Sequence, residues 1–519
     1  MTASRTVTRA CLFVTGAVTI ALELIASRIL TPYVGGSLYV WTAILSITLL
    51  ALAAGYHLGG RWSRLPLRGK LFVRFPATTA LVLCATALLY PVVLPSVAYD
   101  DALSGAFIGS VLLLGPTLVL LSALGPLAIA LTASEHGDRG AGAVFAISTV
   151  GSVAGALAGA FLLLPFMAPA AALVVLGGVL AGVSVAGLIL VGDRVTALGL
   201  LPASALAVAG VGVTLFTPPS SAPLGPTMTM HHVDTIRSAH STVVVVDVAH
   251  DTTPGAIRLY LEENQMQSAA ALDGAPGSPL FYAAVSQQVM DAMVPADGRI
   301  LVLGLAGGTL ASDLARTGRQ VEAVDINPHA PAIASRWFGF DPVQVPVTIG
   351  DARRVLRSCR GGYDAILFDV FSGLSVPDHL VTQETFALAA GCLSPTGILV
   401  ANTIVPPRDT RPTQRLMAAM ATGIGGDVAV YEEGAGANAR HNRIMVVGRD
   451  GRHPPPVMLQ AYPVSLFERR ARAIMPVLVT RKALLATAAP LTDRSNDFAL
   501  GLARMSRELA FFPIPESWH

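Results

Sequence analysis

Between residues 1 and 217 the chain carries one stretch after another of about 20 mostly apolar residues, the length a helix needs to cross the hydrocarbon of a bilayer. Seven spans are predicted, near 9–31, 40–60, 75–97, 105–132, 142–166, 169–192 and 196–216. Composition agrees, because 53% of the 519 residues are hydrophobic, only 13% are charged and the mean hydropathy is +0.61, which excludes a wholly soluble chain. The first 217 residues hold 10 Lys/Arg and 6 Asp/Glu, leaving 25 and 27 for the rest. Two chemically different parts are joined, about seven helices over 1–217 and a more polar remainder. With a net charge of +2 the chain offers no footprint for a nucleic-acid backbone, so nucleic acid is not expected as a partner. The lipid bilayer is.

The first apolar segment lacks a small-residue cleavage site and is followed by further spans, so it is expected to remain in the mature protein. Arg5 and Arg9 precede it, and Arg61, Arg64, Arg68, Lys70 and Arg74 follow the second span, which puts the N-terminus and the 61–74 loop in the cytoplasm. Gly151, Gly155 and Gly159 form a bare stripe on one helical face, suited to close helix packing. Glu23 lies inside the first span and Arg28 near its end. An ionisable group there must face a partner, a cavity or a functional site. His57, beside Arg61, reads as an interfacial residue. The pairs Gly115-Pro116 and Gly125-Pro126 are expected to kink or split the fourth segment.

Residues 218–234 are rich in Pro and Ser and read as a linker, with His231-His232 as solvated loop residues. Residues 235–298 are expected to form a small β region and a lead-in helix, with strands over 241–248 and 257–261 joined through Thr253-Pro254-Gly255. A C-terminal helical tail is expected over 451–519. The cysteines Cys11, Cys84, Cys359 and Cys392 are widely spaced, without CxxC or zinc-type pairing with His, and read as core or lipid-facing thiols. No metal is expected.

The strongest pattern lies in 299–450. Arg299–Gly304 reads as a buried strand entering a glycine turn (Gly304, Gly307, Gly308), where the backbone must bend and approach a ligand without a Cβ in the way. The next strand ends 21 residues on at Asp325, whose carboxylate can accept ribose hydroxyls. A third, 345–349, leads to Asp351-Ala352, and a fourth, 363–369, ends in Asp369; strands follow near 397–403, 428–431 and 443–448. Ligands of open α/β sheets bind at the carboxyl ends of the strands. Each aspartate alone could be a helix cap. Together, without a full GxGxxG or a P-loop lysine, they suit a nucleoside-bearing cofactor lacking pyrophosphate, such as S-adenosylmethionine or a relative.

These residues resemble the polyamine aminopropyltransferase (spermidine synthase) family over about 237–448, and the N-terminal half resembles its membrane-fused members. Gly304, Gly307 and Gly308 match the glycine motif GGGDGG, Asp325 the ribose acid, Asp351 with Ala352 the adenine side, and Asp369 the catalytic acid. The resemblance implies a Rossmann-like fold of the S-adenosylmethionine-dependent methyltransferase type, decarboxylated S-adenosylmethionine or S-adenosylmethionine as group donor, a small amine or other small-molecule acceptor, Asp369 as the base, and a homodimer. Tyr282, Ser372 and Gln267 fall on the acceptor side. The departures gather there too. Ala306, Ser372, Ala283 with Ala284, and Ser241 stand where the family has, in turn, the acid of its glycine motif, the second acid of DSxDP, the His and Glu of YHE, and the Gln of YQ. This counts against putrescine, a dication that needs carboxylates. Glu262, Glu263, Glu432 or Glu433 could replace a lost anion. Pro377, His379, Leu380 and Thr382 resemble the gate loop of the membrane-fused branch, and Pro490–Asp493 resembles its tail signature.

The alternative is a transporter or membrane sensor whose second domain binds a nucleoside without chemistry, with Glu23 as its motive. Seven spans from a cytoplasmic N-terminus leave the second domain outside, whereas its donor is made inside; the expectation is a cytoplasmic domain with one span miscounted at the Gly-Pro breaks.

Overall fold

The computed structural model describes all residues except 1, 37, 99–101, 137, 192–195, 198–208, 210–219, 239–240, 252–254, 276, 372–375, 433–440, 460–471, 504–513, 516–517 and 519. It divides into two units, Met1–Pro219 with Arg237–Ala239 and Pro515–His519, and Ser220–Ile236 with His240–Ile514.

The first unit is helical: α1 (Thr2–Val34), α2 (Leu38–Trp62), α3 (Arg68–Ala98), α4 (Ala102–Ser122), α5 (Leu124–His136), α6 (Asp138–Ala158) and α7 (Pro169–Val191). With α4 and α5 counted as one span, six helical segments among the described residues are long and apolar enough to cross a membrane. The expected seventh, 196–216, lies almost wholly outside the described residues. The fourth segment is split as expected, because Pro126 has no N–H for the Ser122 carbonyl. The glycine stripe brings two helices together: a Cβ on Gly151 or Gly155 would run into the carbonyl oxygen of Phe13 or Ala17 on α1. His57 is exposed.

The second unit opens with a five-stranded antiparallel sheet in sequential order, β1 (Ser221–Pro223), β2 (Met228–Arg237), β3 (Thr242–His250), β4 (Ala256–Glu262) and β5 (Gln265–Ala271). Two expectations need correction. The stretch read as a linker supplies β1 and β2, so His231 and His232 sit in a strand rather than a loop. Pairing with β3 organises those polar residues, and local composition does not register it. The hairpin between β3 and β4 is as expected.

Helix α8 (Phe281–Met293) leads into an eight-stranded sheet. Its parallel part runs, in spatial order, β10 (Leu393–Val405), β9 (Tyr363–Phe368), β6 (Arg299–Leu303), β7 (Gln320–Asp325), β8 (Val347–Ile349). Helices α9 (Thr309–Arg316), α10 (Ala330–Phe338), α11 (Ala352–Ser358) and α12 (Gln383–Cys392) make the crossovers. Beyond β10 the sheet turns antiparallel through β12 (His441–Gly448), β11 (Val428–Glu432) and β15 (Val477–Val479). This is the Rossmann-like arrangement of the methyltransferase type, with its order reversing between β6 and β9, where ligands bind. Strand β10 is buried over almost its whole length, and α13 (Arg411–Ile424) packs into the same core.

The C-terminal region is not a helical tail. Its described residues hold β13 (Val457–Leu459), β14 (Arg472–Ile474) and β15 beside the short helices α14 (Arg481–Thr487) and α15 (Phe498–Ala503). A further correction concerns cysteine: Cys359 and Cys392 form a disulfide, while Cys11 and Cys84 are free and buried. The 33-residue separation hides a pairing that α11 and α12 create by packing side by side.

Candidate active site

Backbone hydrogen bonds just past the strand ends set four positions in a row. Gly304 N–H donates to Val324 O, Gly350 N–H to Asp325 O and Asp369 N–H to Leu303 O, each at 2.8 Å. Gly304, with φ of 98°, lies so close to the Asp369 carbonyl that a Cβ would collide with it. Gly304, Asp325, Asp351, Ala352 and Asp369 all line one cavity of about 210 Å³. Gly307 and Gly308 stand behind it, against Ser268 and Phe338 and against Phe340.

The three aspartates are held differently. Asp325 Oδ2 accepts from the N–H groups of Leu305 (2.8 Å) and Ala306 (3.4 Å), and Oδ1 from Asn327 N–H at 2.7 Å, so it pins the glycine turn while lining the cavity. Asp351 caps α11, accepting from Arg354 N–H at 2.9 Å, and its second oxygen meets His379 Nε2 at 2.8 Å. Burial alone would raise that carboxyl; His379 and the N–H groups of Arg354 and Arg353 outweigh it and hold it below the usual range.

Asp369 is the opposite case. Burial pushes its carboxyl up to about 7, against hydrogen bonds from Asn402 Nδ2, at 2.8 Å, and the Tyr282 hydroxyl. Tyr282 also donates to Gln267 O at 2.7 Å, so one phenolic proton serves two acceptors. Burial, then the neighbouring Asp369, drives the Tyr282 phenol well above its ordinary value. A carboxyl that exchanges its proton near neutrality beside a glycine turn can act as general base.

Among the residues expected on the acceptor side, Gln267 and Ser241 line the cavity and Tyr282 hydrogen-bonds Asp369; Ser372 is outside the described residues. Of the candidate replacement anions, Glu262 and Glu263 line the cavity. Glu263 and Asn264 form the two-residue turn between β4 and β5, with φ of 49° and 60°, and Glu263 Oε1 accepts from Thr242 N–H at 3.0 Å. Glu432 is instead paired with Arg408 (2.7 Å) and Arg443 (3.1 Å), and Glu433 is outside the described residues. Ala306 occupies a left-handed conformation, φ 47°, unusual for a residue with a Cβ.

Two features escaped sequence reasoning. Asn402 interrupts the apolar strand β10, and a buried polar residue in such a run must have a partner. Asp493 pairs with Arg353 and accepts from Thr382 Oγ1 at 2.9 Å; Arg353 Nη1 also donates to His379 O at 3.0 Å, and so does Thr385 Oγ1, at 2.7 Å. The tail signature thus anchors the loop that carries His379 to the cavity, a role its sequence does not suggest.

No family model matches the chain. A polyamine aminopropyltransferase of Vibrio vulnificus is 40% identical over 117 residues, 21% of this chain and 38% of that protein. One of Neisseria meningitidis is 31% identical over 183 residues, 34% of this chain and 67% of that protein. A solved probable spermidine synthase from Corynebacterium glutamicum, 19% identical, is matched over 52% of this chain and 97% of that one, with a TM-score of 0.41. The matched stretch thus spans well under half of the Vibrio relative.

Proposed function

The chain belongs to the polyamine aminopropyltransferase family, and we propose on that premise that it is a membrane-anchored transferase moving an aminopropyl group from decarboxylated S-adenosylmethionine to a small amine. One observation carries this reading: Gly304, Asp325, Asp351 and Asp369 rim a single cavity. Asp325 would hold the ribose hydroxyls beside the glycine turn, and Asp351-Ala352 would face the adenine. A ligand of the S-adenosylmethionine type, without pyrophosphate, suits a turn that presents no lysine.

In the reaction the acceptor nitrogen attacks the aminopropyl carbon bonded to sulfur. The C–S bond breaks, the sulfonium becomes the neutral thioether of methylthioadenosine, and Asp369 takes the proton from the amine. The buried carboxyl near pH 7 is matched to that work. Glu262 and Glu263 are the anions at hand for a cationic acceptor, in place of those lost at Ala306, Ser372 and Ala284. The donor is a cytosolic metabolite, which favours a cytoplasmic domain.

The test is mass spectrometry of full-length protein with decarboxylated S-adenosylmethionine and a panel of mono-, di- and triamines. Methylthioadenosine and an aminopropylated amine are expected, and both vanish with Asp369→Asn. Release of neither from the wild type rejects the reading.

A further inference from the structure

The helical unit contains a cavity of its own, about 230 Å³, among α1, α2, the α4–α5 junction and α6, with Glu23 on its wall. At 1.5 Å per residue Glu23 stands about 17 Å from the Val34 end of its span and about 26 Å from the Thr6 end, well inside the bilayer. None of the residues lining the cavity is basic, and among the described residues Glu23 has no hydrogen bond or ion pair. A carboxylate at that depth costs at least a few kcal/mol unless something compensates it.

Four of the hydroxyls around it are oriented in one sense. Thr15 Oγ1 donates to Leu12 O (3.1 Å), Thr19 Oγ1 to Thr15 O (2.9 Å), Ser122 Oγ to Val119 O (3.3 Å), and Ser152 Oγ to Gly16 O (3.2 Å) and Ser148 O (3.1 Å). Their protons are spent on helix carbonyls, so what they offer the cavity is lone pairs. Beside Ser122 the helix breaks, and interrupted helices at membrane depth occur where the backbone lines a cavity. Ser148 and Thr149 add two further hydroxyls, and the remaining wall is apolar or aromatic, including Leu52, Leu121, Phe145 and Tyr56. The volume is several times the roughly 30 Å³ a water occupies in the liquid, more than a bare alkali ion fills.

We propose that this cavity binds a small monoalkylammonium ion, its –NH₃⁺ held by Glu23 and the hydroxyl oxygens and its hydrocarbon end against the apolar wall and the aromatic faces. The site is separate from the aspartate cavity and does not depend on the reaction assigned there.

The experiment is calorimetric titration of full-length protein in nanodiscs with n-butylammonium, against 1-butanol and sodium ions. Saturable binding of n-butylammonium is expected, with neither control binding nor competing at the same concentration. Glu23→Gln should weaken it about tenfold or more, the scale of a lost charge-assisted hydrogen bond, and Asp369→Asn should leave it unchanged. Should Glu23→Gln not give a monodisperse protein, Thr19→Val with Ser152→Ala keeps the charge and should weaken binding about threefold or more. No saturable binding, equal binding of butanol or sodium, unchanged affinity in the cavity variants, or loss in Asp369→Asn would each overturn the proposal.

Discussion

Asn402 Nδ2 donates to Asp369 Oδ1 at 2.8 Å, and the Asn402 carbonyl in turn accepts from Asn442 Nδ2 at 2.9 Å. The chain of amides fixes which way Asn402 points. It delivers a donor to a carboxyl whose burial resists ionisation.

With Asp369 near 7 and the base needed in its ionised form, turnover is expected to rise with pH through about 7 and then level. Stability runs the other way. The folded chain holds this proton more tightly than the unfolded one, so the contribution is full below the ordinary value of 3.8 and is lost as pH rises through about 7. Rate profiles and urea melts between pH 5 and pH 9 check both signs, and the melts of Asp369→Asn should lack the decline between pH 5 and about 7.

Asn402→Ala removes a hydrogen bond to the ionised form, of a kind worth about 1.5–3 kcal/mol. The acid limb of the rate profile is expected to move up by about one to two pH units. An unmoved limb with an intact fold would mean that Asn402 only fills space.

Asp325→Asn is expected to weaken S-adenosylmethionine and methylthioadenosine about tenfold or more in calorimetry, since one oxygen that could meet a ribose hydroxyl becomes a donor. Because the same side chain ties down Leu305 and Ala306, the melting temperature is followed in parallel. Undiminished affinity would remove Asp325 from the nucleoside site.

The Cys359–Cys392 bridge closes a loop with a sequence separation of 33. In the chain-entropy account such a loop is worth about 3–4 kcal/mol, so replacing both cysteines by serine should lower the urea midpoint accordingly. An unchanged midpoint would show that the packing of α11 on α12 suffices.

The side of the membrane is testable through His453, which is exposed. Donor supply predicts that an impermeant maleimide fails to label His453→Cys in intact cells and labels it after lysis. The disulfide pulls the other way, since such bridges persist mainly in oxidising compartments. Labelling from outside would move the domain, and with it the choice of donor.

The sequence by itself determined six helical spans, the parallel strands and the aspartates at their ends, because these are written in local periodicity: a bilayer demands 20 apolar residues in a row, and a strand buried on both faces demands a short apolar run. It also foretold the break at Pro126, a matter of one missing N–H. Tertiary structure alone decided that Asp351 is shared between a helix cap and His379, that Asp493 anchors a loop more than a hundred residues earlier, and that Cys359 meets Cys392. The same holds for Asp369, whose carboxyl is raised by burial and opposed by hydrogen bonds from Tyr282 of α8 and Asn402 of β10. Residues far apart in the chain acquire such relations only when packing brings them together, and no local pattern encodes the approach.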